Sequence, residues 1–232
     1  MAHWDTETIL IPAGPFLMGT RGEDAERLAR ESGYHVSWFS GEVPQRRIVL
    51  PAFAIDKYPV THRRYAAFCR ATGYRAPASW SGAEPPADAL DHPVTGVDRA
   101  DAAALAAWEG KRLPTEAEWE KAARGTDGQA FPWGDAFDAD TCQWNRDRTP
   151  DGPGTSPVTA HPTGASPYGV LDLIGNVAEW CADGPGHGTA FIKGGCFLTE
   201  EIVNLRPAAR NMSGAANNRS LFYGFRCVQG AG

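Results

Sequence analysis

The sequence predicts a mixed α+β fold in which irregular structure outweighs both helix and strand. Three observations carry this. The apolar runs are short, the readable helices are few and sharply bounded, and 26 glycines and 18 prolines are scattered among them rather than gathered into linkers. Turn residues at that density interrupt the chain too often for long helices or one large sheet.

Taken in order, strands are expected at Ile9 to Ile11, Phe16 to Met18, Arg47 to Leu50 and Phe53 to Ile55. Thr61 can cap a helix whose Tyr65, Phe68 and Cys69 recur on one face. Asp98 or Asp101 begins a second helix with Leu105 and Trp108 turned inward. The third helix is the best defined. Thr115 is placed as N-cap, and Glu118 three residues on can reach back to its backbone N–H in a capping box. Glu116 and Glu118 favour the positive end of its dipole, Arg124 the negative end, and Gly125 can close it in a left-handed conformation. Ala117, Trp119 and Ala122 give it a buried side. Later strands are expected at Ala190 to Lys193 and Phe222 to Cys227. The polar stretches 20–47, 73–91, 125–155 and 182–190 read as loops on one compact body.

A chain of 232 residues can bury one sizeable core, and the expectation is a single domain over 1–232 with its core at about 9–228. Formal net charge is −6, from 22 basic and 28 acidic residues without a basic run, which argues against a nucleic-acid partner. No apolar run approaches the roughly 20 residues that span a bilayer, so no membrane partner is expected. Met1 to Glu7 has neither a basic nor an apolar leader segment. Cysteines 69, 142, 181, 196 and 227 form no CxxC, and a reduced, cytoplasmic protein is the simplest reading.

Several blocks then carry a resemblance. Gly110 to Gly125 looks like the signature of the formylglycine-generating enzyme, or sulfatase-modifying factor, family. Ile11 to Gly19, Phe53 to Thr61, His92 to Val97, Tyr168 to Trp180, Phe191 to Gly195, Arg206 to Arg210 and Tyr223 to Cys227 are similar to its other blocks, in family order. The resemblance implies a C-type-lectin-like variant of the α+β class, rich in coil. It also implies an oxidase that converts a sulfatase cysteine to formylglycine with O2 and copper held by two cysteines, the ligands soft Cu(I) prefers. Aligned on Gly194-Gly195, the first of those cysteines falls at Thr199. Aligned on Ala208-Ala209-Arg210, the second falls at Ile202. Neither can donate a thiolate, so no copper is expected.

Cys196 stands where the resemblance implies a serine. It is a candidate nucleophile or metal ligand, but the preferred reading is a small buried hydrophobe, because a single thiol does not rebuild a two-coordinate copper site. The histidines form no HxH or HxxxH cluster. Calcium is the expected ion, in a structural role. Asn176 and Glu179 offer an amide oxygen and a carboxylate, beside backbone carbonyls, within Gly175 to Trp180, and Asn145, the Arg146 carbonyl and Asp151 are candidates for a second family site. Trp38, in an aromatic loop, and Arg206, Arg210 and Arg219, on the segment bordering the family's groove, are candidate ligand contacts. The function expected is a diverged family member that binds a small molecule or peptide in that groove without copper-cysteine oxidation. The alternative is a tailoring oxidoreductase dependent on another metal or on Cys196, and a true formylglycine-generating oxidase ranks last.

Overall fold

The structure is a computed structural model that describes residues 4–144, 154–186, 188–210 and 212–231. Among the described residues, three small sheets and five α-helices pack around two large apolar clusters and two small ones, α1 (Gly22–Ser32) belonging to one of the small ones. The first sheet has the order β1-β4-β9, from Thr8–Ile11, Phe53–Asp56 and Val228–Gly230, so the two ends of the chain flank one central strand. Antiparallel β2 (Gly14–Met18) and β3 (Arg46–Leu50) form the second. The third, ordered β7-β6-β5-β8, is built from Ala178–Trp180 (β5), Thr189–Lys193 (β6), Ser213–Ala215 (β7) and Tyr223–Gly224 (β8).

The capped helices form where the sequence places them. In α2 (His62–Thr72), the Thr61 hydroxyl accepts the Arg64 N–H, and Tyr65 and Phe68 are buried. In α3 (Arg99–Trp108), the two acidic candidates act together: Asp98 is the cap and Asp101 reaches back to it. In α4 (Glu116–Arg124), the Thr115–Glu118 box is complete, and Arg112 grips the Glu118 carboxylate with two nitrogens at 2.6 and 2.7 Å.

Three expectations need correction. The stretch 20–47 is not all loop, because Gly22–Ser32 forms helix α1, burying Ala25 and Ala29 four residues apart and ending at Gly33 in the left-handed region. Trp108 is not turned inward. It is 47% exposed at the end of α3 and packs against Phe68 at the rim. The run 222–227 is not one strand: β8 ends at Gly224 and β9 begins at Val228, with fully buried Arg226 between them. Among the described residues, no helix is long and apolar enough to cross a membrane.

Candidate functional site

Helix α4 and the segment 193–210 define the candidate site. Strand β6 ends at Lys193, whose buried Nζ lies 3.3 Å from Glu116 and 3.5 Å from Glu120 on α4 and donates to the Ala209 carbonyl at 3.0 Å. Gly194 follows at φ +90°, where a Cβ would collide with the Leu173 carbonyl and the Trp119 ring. That close approach lays the next residues against α4. Glu120 also accepts from Arg124 at 2.6 Å and from the Gly19 N–H at 2.7 Å, which ties the end of β2 into the same network. Burial pushes the Glu116 carboxyl up, opposed by Lys193 and Arg210.

A groove of about 890 Å³ opens beside this network, between α1, the turn after α4 and the short helix α5 (Ile202–Leu205). Its four arginines, 21, 27, 124 and 206, are all paired with protein carboxylates. Asp127, Asp135 and Glu201 form no ion pair among the described residues, which leaves the lining with surplus negative charge. Leu28, Phe131 and Val203 supply apolar wall, and Ile202 stands 40% exposed on the same side.

Cys196 is buried, and its thiol faces the Thr199 hydroxyl at 3.9 Å. Burial pushes the thiol up, against weaker hydrogen bonds from 198 and 199. Cys69, Cys181 and Cys227 are pushed the same way by the same cause. Reactive cysteines need the opposite environment, electropositive and partly open. In native protein, iodoacetamide is therefore expected to label half-buried Cys69 first and Cys196 only on unfolding, read by peptide mass spectrometry. Rapid labelling of Cys196 in the folded state would restore it as a nucleophile.

Of the four ligand-contact candidates, only Arg206 lines this groove, and its guanidinium is spent on Glu42 at 2.7 and 3.1 Å. Arg210 lies over the Phe191 ring and pairs with Glu116 at 2.8 Å. Arg219 pairs with Asp101 at 3.1 Å and donates to the Ala76 carbonyl. Trp38 is 44% exposed, stacked on Tyr34, and donates to Asn204 on α5 at 3.0 Å. All four side chains are engaged within the protein, and Arg219 is tied to α3 rather than to the groove. Glu42, which fixes Arg206 from a separation of 164 residues, had no local signal in the sequence.

The expected calcium ligands divide. Asn145, Arg146 and Asp151 lie outside the described residues. Asn176 is buried at φ +51° and exchanges hydrogen bonds with both backbone groups of Ser156 at 3.0 Å while donating to Asp172 at 2.7 Å. Glu179 accepts from Arg226 on both oxygens at 2.7 Å and from Trp119 Nε1 at 2.7 Å. A dication there would meet the Arg226 guanidinium and at most one remaining lone pair on each side chain, whereas Ca2+ takes six to eight oxygens. Among the described residues no group of three or more His, Cys, Asp or Glu gathers to hold a metal. As placed, the Asn176 and Glu179 side chains spend most of their acceptor capacity within the protein and act as hydrogen-bonded struts.

The sulfatase-modifying factor enzyme 1-like domain model matches residues 3–231. The chain belongs to this sulfatase-modifying factor family. It is 35% identical to the formylglycine-generating enzyme of Thermomonospora curvata, over 95% of this chain and 92% of that protein. It is 31% identical to the inactive C-alpha-formylglycine-generating enzyme 2 of Bos taurus, over 97% of this chain and 88% of that one. Among solved structures, PvdO from Pseudomonas aeruginosa superposes with a TM-score of 0.75 at 26% identity, covering 95% of this chain and 93% of its own. CarF, at 19% identity and a TM-score of 0.66, shares the fold. The α+β class and the family scaffold are thus both established.

Proposed function

We propose that this family member binds a cationic small molecule or a basic peptide segment in the 890 Å³ groove and performs no copper-cysteine oxidation. One observation carries the reading. In the segment after Gly195, a hydroxyl at Thr199, turned to Cys196, and a hydrocarbon at Ile202, on the groove wall, stand where the family resemblance implies paired thiols. A two-coordinate site for soft Cu(I) cannot be assembled from those groups. The surplus carboxylates of Asp127, Asp135 and Glu201 favour a positively charged occupant, and Leu28, Phe131 and Val203 favour one with an apolar body. The relative from Bos taurus, inactive by name, supports the idea that this scaffold persists without the oxidase chemistry.

The test has two arms. A cysteine-containing sulfatase peptide, supplied with Cu(I) and O2, is expected to keep its thiol, with no aldehyde trapped by a hydrazide probe. A tetralysine peptide is expected to bind with an affinity that falls with salt and weakens in D135N/E201Q. Aldehyde formation abolished by C196A overturns the non-oxidase reading, and unchanged tetralysine binding in the double variant overturns the groove assignment.

A further inference from the structure

Leu17 and Asp127 border the large groove and also a second pocket of about 320 Å³. This pocket is built from β2, β3, α4 and Tyr168. The β2–β3 register sets Arg47 directly opposite Leu17, and Lys121 enters from α4. Lys121 is 1% exposed, yet among the described residues its Nζ meets only two backbone carbonyls, of Pro12 at 2.6 Å and Gly14 at 3.1 Å. An ammonium has three donors, so one N–H is left over.

The contrast with the other three lysines is sharp. Lys57 pairs with Glu7, Lys111 with Asp56, and Lys193 with Glu116 and Glu120. Lys121 has no carboxylate partner among the described residues, and burial alone pushes its amine down. Arg47, on the same wall, is exposed and its guanidinium makes no ion pair or hydrogen bond among them. Asp127 at the rim accepts from Thr126 at 2.9 Å and does not reach Lys121. A buried charge without a counter-charge is costly unless something of opposite sign reaches it. Two cations converging on one cavity mark where that partner would sit.

We propose that this pocket binds a small anion, a carboxylate or a phosphate, with Lys121 and Arg47 supplying the charge. The assignment is independent of what occupies the larger groove. Thermal denaturation in acetate, in inorganic phosphate and in chloride, at matched ionic strength and pH, tests it. A saturable rise in the midpoint above the chloride control is expected, and whichever of acetate or phosphate produces it identifies the class. Arg47→Gln, on an exposed strand position, is expected to raise the apparent Kd about tenfold, and Lys121→Met to abolish the response. If Lys121→Met fails to fold, Arg47→Gln still decides. A wild-type response no larger than chloride, or one unchanged by Arg47→Gln, overturns the proposal.

Discussion

Replacing Arg226 by methionine is expected to cost about 3–5 kcal/mol, the usual consequence of breaking one partner out of a buried ion pair. Arg226 is fully buried and grips both oxygens of Glu179 on β5 at 2.7 Å. The same guanidinium donates to the carbonyls of Asp56 and Lys57 at 3.1 and 3.2 Å, and of Leu171 and Asp172 at 2.9 and 3.1 Å. One side chain therefore ties the end of β4, the turn before Gly175 and the third sheet together. Methionine fills similar volume but leaves the Glu179 carboxylate buried with Trp119 as its remaining donor. Against the 5–15 kcal/mol of a typical domain, roughly a fifth of the stability or more goes. The melting temperature is expected to fall by about 6–20 °C.

The charge, rather than the lost packing, should account for most of that fall, and the double variant separates them. Glu179→Gln removes the uncompensated carboxylate, so R226M/E179Q is expected to recover part of what Arg226→Met loses, with a coupling of about 1–3 kcal/mol in the cycle. Glu179→Gln alone should be milder, because Arg226 keeps its four carbonyls. A melting temperature for Arg226→Met within about three degrees of wild type would mean that the pair is not structural.

Arg226 also shows what could be read in the sequence and what could not. A charge set inside the apolar run 222–228 signals a buried ion pair, but its partner lies 47 residues away, and nothing in either local pattern names it. The same holds for Arg206 with Glu42, Arg210 with Glu116 and Arg219 with Asp101. Each arginine was legible as a group near the groove, and none as already engaged. By contrast the box at Thr115 and the cap at Thr61 were readable, and the start of α3 was narrowed to Asp98 or Asp101, because every atom involved lies within one helical turn. Helix α1 had the spacing of Ala25, Leu28 and Ala29 in its favour, but its charged composition and lack of a side-chain cap disguised it as loop. Lys121 was equally hidden. Its position on α4 was clear, whereas the absence of a counter-charge emerges only when β2 folds over it.

His62 supplies the second large effect, and it depends on pH. Its ring is buried at the start of α2, where Nδ1 accepts a hydrogen bond from Trp80 Nε1 at 2.7 Å. Burial, assisted by the nearby His92, pushes the imidazole down from 6.5 to about 4. A protonated ring has no acceptor, so charging His62 both buries a cation and strips Trp80 of its partner. The native state therefore binds fewer protons than the unfolded chain between about pH 4 and 6.5. Stability from this group is fully present above 6.5 and is lost as pH falls toward 4. The loss reaches about 2 kcal/mol at pH 5 and on the order of 3 kcal/mol near pH 4.

Buried Asp172, pushed up to about 7, contributes with the opposite sign over much of the same range, so the wild-type profile alone cannot assign the slope. Subtraction can. His62→Asn keeps an oxygen to accept from Trp80 and removes the titration. The variant is expected to lie within about 1 kcal/mol of wild type at pH 7 and to exceed it by about 2 kcal/mol at pH 5, measured by denaturant titration at each pH. Asp172 and Glu116, which do not act on His62, titrate alike in both proteins and cancel in the difference. Parallel curves from pH 7 to 5 would show that the imidazole gains its proton without cost, and that the contact with Trp80 does not hold it neutral.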